Sequence, residues 1–194
     1  MSEFWLYIKL GLTHVLDWKA YDHILFLIIL TVAYTFDSWK RILVLVTLFT
    51  LGHTTSLFLA TYGVVSVNSR LIEFLIPLTI LVGAVFNVFT AGKGANKNKI
   101  GVLYAATIFF GLIHGLGFSG FFKAVSSNVD SKILPLIEFA VGIEIAQIIV
   151  VLVVLILSFI IQTIFRFNKR DWILVISSIV IGMVIPMIIA NRIW

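Results

Sequence analysis

Residues Ile133 to Phe165 read ILPLIEFAVGIEIAQIIVVLVVLILSFIIQTIF, and the only ionisable groups in that run are Glu138 and Glu144. A helix needs about 20 predominantly apolar residues to cross the hydrocarbon core of a bilayer. This stretch exceeds that length, and it lacks the apolar/polar alternation that a membrane β-strand requires. It is read as a transmembrane helix long enough to tilt or to project past the bilayer. Working outward, five more apolar stretches of spanning length follow the same logic: Trp18 to Phe36, Lys40 to Tyr62, Leu71 to Ala91, Ile100 to Phe122 and Trp172 to Trp194. The segment Phe4 to Leu16 is shorter and carries Lys9, Gly11 and His14. It fits a tilted seventh span, an interfacial helix, or a segment that enters and stops part-way. The expected fold is an all-α, polytopic membrane bundle of six long transmembrane helices plus a short N-terminal helix. Residues 1–194 are expected to form a single integral membrane domain.

Composition agrees. Of 194 residues, 61% are hydrophobic and 12% charged, and the mean hydropathy is +1.13. A soluble domain carries about 25% charged residues, so a water-soluble globule is excluded. The formal net charge of +5 is not gathered into a basic run, which argues against nucleic acid as a partner and for a topology signal borne by loops. No cysteine is present, so thiolate ligands, disulfides and cysteine nucleophiles are ruled out. Met1-Ser2-Glu3-Phe4 has neither a basic n-region nor a small-residue cleavage site, and no cleaved signal peptide is expected. The clearest turn runs from Gly92 to Lys99. Loops at one end of the helices carry Lys40, Arg41, Lys93, Lys97, Lys99, Arg166, Lys169 and Arg170; the other end carries Arg70, Lys123, Lys132 and Arg192, with Lys19 a further candidate. The positive-inside rule places the richer end in the cytoplasm and the C-terminus outside.

Ionisable groups within spans are costly, by at least about 2.5–3.5 kcal/mol for Asp, Lys or Arg at a helix centre. The candidates are His14, Asp22, His23, His53, Glu73, His114, Glu138 and Glu144, and they include all four histidines of the chain. Counted from the expected outer end of each helix, they fall in roughly the outer half of the membrane. Imidazoles and carboxylates at comparable depth on different helices can meet in one buried cluster. Without thiolates, that donor set suits nickel, cobalt, zinc, iron or manganese, and a bound cation would offset the buried carboxylate charge. Neighbouring residues support the reading. Gly111, Gly115 and Ser119 form a small-residue stripe that lets helices approach. Thr47, Thr50 and Thr54 make a hydroxyl stripe beside His53, and Gln147 nearly shares a face with Glu144. Against it, a single histidine in a span is often only a bond to a neighbouring helix. Glu73 beside Arg70 reads more simply as a surface pair, and the depth of Glu138 depends on where its helix begins. The phenylalanines and tryptophans read mostly as lipid-facing bulk and interfacial anchors.

At these residues the sequence resembles the HupE/UreJ family of bacterial membrane proteins, and its UreJ-like branch in particular. The matching pieces are Asp22-His-Ile-Leu-Phe-Leu27, Phe49-Thr-Leu-Gly-His-Thr-Thr-Ser-Leu57, Ser69-Arg-Leu-Ile-Glu73, Phe110-Gly-Leu-Ile-His-Gly-Leu-Gly-Phe118 and Gly142-Ile-Glu-Ile-Ala-Gln147. The resemblance implies a nickel or cobalt permease of the bacterial inner membrane, with His14, Asp22, His23, His53, His114 and Glu144 handling the metal. It adds Glu73 to the supporting residues Gln147, Glu138 and Thr50. One departure stands out. The family usually spaces its first histidine five residues before the Asp-His pair, whereas seven residues separate His14 from Asp22. Two extra residues turn a continuous helix by about 200°, so either a loop absorbs them or His14 points away from the cluster.

Two function classes compete. A divalent transition-metal transporter (nickel, cobalt or zinc) would bind its ion at the cluster and pass it inward. An intramembrane metal-dependent hydrolase would use the same donors to activate water. A metal-binding accessory membrane protein is a third reading. In all of them the partners are a metal ion and the lipid bilayer.

Overall fold

All regular structure in the described residues, 3–93 and 100–193 of a computed structural model, is helical. The order is α1 (Glu3–Val15), α2 (Asp22–Thr31), a 3-10 turn (Phe36–Ser38), α3 (Trp39–Thr61), α4 (Ser69–Thr90), α5 (Ile100–Val125), α6 (Ile133–Phe159) continued by a π-helical turn (Ile160–Ile164), and α7 (Lys169–Ala190). Five helical stretches are long and apolar enough to cross a membrane. They correspond to five of the six expected spans. Most of the turn expected from Gly92 to Lys99 lies outside the described residues.

The remaining span is a correction. Trp18 to Phe36 is not one long helix: Asp17 to Tyr21 form a turn, and α2 is ten residues long. At 1.5 Å per residue α2 rises about 15 Å and α1 about 20 Å, each well short of the hydrocarbon core of about 30 Å. Asp17 stabilises the break between them. Its carboxylate accepts the Lys19 N–H at 2.9 Å, and its carbonyl accepts the Ala20 N–H at 3.2 Å. Such an Asx turn competes with helix continuation.

Ring contacts give the direction of both pieces. Tyr7 lies 6.0 Å from Phe122, His14 3.9 Å from Phe118, His23 5.1 Å from His114 and Phe26 5.7 Å from Phe110. The partners on α5 step back by four residues, one helical turn, at each contact. So α1 and α2 run head to tail, antiparallel to α5, as two halves of one interrupted track. Interrupted helices occur in membrane proteins where the broken backbone lines a functional site.

Glycines set the closest helix pairs. Gly11 on α1 and Gly142 on α6 each lie against the facing backbone, and Gly52 on α3 interlocks in the same way with Gly111 and Gly115 on α5. A methyl at any of these positions would run into a carbonyl oxygen of the partner helix. Gly111 and Gly115 of the expected stripe thus bring α3 and α5 together. Helices α4 and α7 pack on each other and begin with the same cap: Asn68 and Asn168 accept the N–H of Arg70 and Arg170 at 2.9 and 3.0 Å.

Candidate metal centre

The break between α1 and α2 is where the histidines gather. His14 sits in the last turn of α1 and His23 in the first turn of α2. His53 arrives from α3 and His114 from α5. Ring centroids are 4.5 Å apart for His14 and His23, 5.8 Å for His14 and His53, and 5.9 Å for His23 and His53. Each of these three offers a nitrogen, and the three nitrogens lie within 4.8 Å of one another. His114 stands alongside, next to His23. The loop of residues 16–21 absorbs the two extra residues after His14, so its ring points into the group.

Hydrogen bonding prepares these rings as ligands. Nδ1 of His114 donates to the Phe110 carbonyl at 2.8 Å, which leaves Nε2 as a lone pair. Nδ1 of His23 faces the Asp22 carboxylate at 3.3 Å, which favours the same tautomer. A partner on one ring nitrogen that fixes the other as a donor of electrons is the usual arrangement around a metal-bound imidazole. The Nε2 atoms of His14, His23 and His114, and both ring nitrogens of His53, are buried without a hydrogen-bond partner. An orphaned buried polar atom costs about 1–3 kcal/mol, and several aimed at one spot fit a shared cation. Helix ends act in the same sense. The C-terminal end of α1 carries partial negative charge, and Asp22 offsets the positive end of α2.

Asp22 touches His23 from behind. Its removal is expected to weaken metal binding 10- to 100-fold, the range for partners that orient a ligand. Competitive titration of purified Asp22→Ala against a metal-binding dye checks this.

The other expected residues lie elsewhere. Glu144 is held between α3 and α6, where Thr47 donates to it at 2.7 Å and Thr50 donates to its second oxygen. Thr50 also bonds Gln147 at 3.0 Å. These four form a polar group of their own, beginning one helical turn along α3 from His53. Glu138 is buried in α6. Glu73 is exposed in the first turns of α4.

Two features escaped the sequence reading. Phe26, Phe49, Phe118 and Phe139 pack around the imidazoles at centroid distances of 3.9–6.2 Å and form an aromatic collar. The second is a recurrence, Gly11-Leu-Thr-His14 and Gly111-Leu-Ile-His114. In both, the glycine seats a helix pair and the histidine one turn on enters the centre. That echo was available as a signal.

The fold and the centre together define a polytopic membrane protein with a buried, imidazole-rich cluster at a helix break. The HupE / UreJ protein family matches residues 1–192, and the chain belongs to that family. Membership implies a membrane metal transporter or accessory protein. No curated protein and no solved structure matches the chain.

Proposed function

We propose that this protein is a divalent transition-metal transporter of the nickel/cobalt type, in the bacterial inner membrane with its C-terminus outside. Its ion is taken by His14, His23 and His53, with His114 as the neighbouring donor. The observation that carries the reading is the convergence of imidazole nitrogens, without partners, from three separate helices. Asp22 orients His23, and Glu144 stays with its threonines.

Inward of the imidazoles lies a cavity of about 700 Å³. It lies at the opposite end of the bundle from the N-terminus of α1, and its inner end is lined by Phe26 and Phe110. Phe26 also packs on His114 at 5.4 Å and on Phe49 at 4.6 Å. Phe26 thus stands between the imidazoles and this space. In this reading the ion enters beside α1 and rests at the helix break before it moves inward.

Proteoliposomes loaded with a metal-sensitive dye test the proposal. Uptake of nickel, cobalt or zinc is expected for the native chain and absent for His53→Ala. A protein that binds one metal tightly without flux would overturn transport and favour the metal-dependent hydrolase, for which three imidazoles and an open position also suffice.

A further inference from the structure

The same cavity carries an observation that ion passage does not explain. Its lining includes Arg41, Lys93, Lys169 and Arg170, and among the described residues no Asp or Glu lines it. These cations come from three places in the chain: the start of α3, the turn after α4 and the start of α7. Gly92, at φ +81°, lies against the aliphatic part of Arg170, where a side chain would crowd it. Deeper in, the walls turn apolar, with Ile29, Leu30, Phe86, Leu103 and Phe110. Like charges converging on one opening repel unless an anion sits among them, and for a divalent cation alone this mouth is repulsive.

We infer that the cavity is a binding site for an anionic phospholipid. The phosphate would lie among the four cations, and the glycerol and the start of an acyl chain against the apolar walls. A small free anion would satisfy the rim and leave the walls unfilled. A zwitterionic lipid would fill the walls and bring a cation of its own to the rim. Basic pockets between transmembrane helices take anionic headgroups on these grounds. The loop cations are richer at this end of the bundle, which places the mouth at the level of the headgroups. The inference concerns a site separate from the imidazoles and stands whether or not the protein moves metal.

Native mass spectrometry of the full-length protein in detergent tests it with three probes: phosphatidylglycerol, phosphatidylcholine of the same chains, and inorganic phosphate. Phosphatidylglycerol is expected to remain bound at concentrations where the other two do not. Arg41→Gln/Lys169→Gln/Arg170→Gln should weaken its binding by roughly fivefold per cation removed. Arg70→Gln/Lys123→Gln, at the other end, should leave it unchanged. Ala106→Phe keeps all four cations and fills the apolar depth, and it should also lose the lipid. This variant keeps the test decisive if the triple variant does not fold. Equal retention of phosphatidylcholine, phosphate binding as tight as lipid binding, or full retention by Ala106→Phe would each overturn the inference.

Discussion

Replacing His23 with alanine is expected to abolish stoichiometric metal binding by the purified protein. His23 is central to the group: its ring lies 4.5 Å from His14, 5.9 Å from His53 and 5.1 Å from His114. A four-ligand zinc site in a small domain contributes about 10–16 kcal/mol in total, or about 3 kcal/mol per ligand if shared evenly. That is a loss of roughly a hundredfold in affinity for one imidazole. The variant also strands Asp22, whose partner in the native chain is His23, so the full effect should exceed that figure. Elemental analysis after gel filtration gives the stoichiometry, and isothermal titration with nickel, cobalt and zinc gives the affinity. His23→Gln, which keeps a polar side chain of similar reach, separates lost ligation from lost packing. Native-like binding in both variants would remove the helix break from the metal site.

Gly111→Ala is expected to destabilise the protein by about 1–3 kcal/mol, the cost of overpacking a tight contact, and to weaken metal binding with it. The added methyl would meet the Phe49 carbonyl oxygen and lie 3.0 Å from the backbone nitrogen of His53. The clash therefore falls on the α3 turn that holds His53. A ligand group displaced by even about 1 Å loses much of its function. Gly120→Ala on the same helix is the matched control, because nothing lies within 4 Å of the position its Cβ would take. It should be neutral or slightly stabilising, since alanine favours a helix over glycine by about 1 kcal/mol. Thermal unfolding in detergent, with metal affinity measured on the same samples, compares the pair. If Gly111→Ala melts with the control, the close approach of α3 and α5 is not what holds the centre together.

The two variants probe different layers of the same arrangement. His23 offers a nitrogen to the ion, whereas Gly111 only permits two backbones to come near enough for His53 to reach the others. The first should lower affinity far more than it lowers the melting temperature of the metal-free protein. The second should lower both. That contrast separates a ligand from a packing residue without requiring any assay of transport.

Long apolar runs decided the five full-length helices directly from the sequence, because a backbone in lipid must satisfy its own hydrogen bonds and a helix does so within one segment. The all-α class, the membrane reading and the expectation of a histidine cluster followed from the same local chemistry. Trp18 to Phe36 shows where that logic stops. Its composition is that of a span, but hydropathy does not register the Asx turn at Asp17 that keeps its first residues out of the helix. The role of the spacing after His14 was equally undecided, since a loop and a continuous helix predict opposite ring directions. Only the packed structure resolved these points. It set α1 and α2 end to end, antiparallel to α5, gathered His14 and His23 at their junction, and kept Glu144 with Thr47 and Thr50 instead. The physical reason is that helix formation depends on neighbours within a few residues. Which side chains meet across helices depends on how closely the backbones approach, and here glycines on facing helices set that distance.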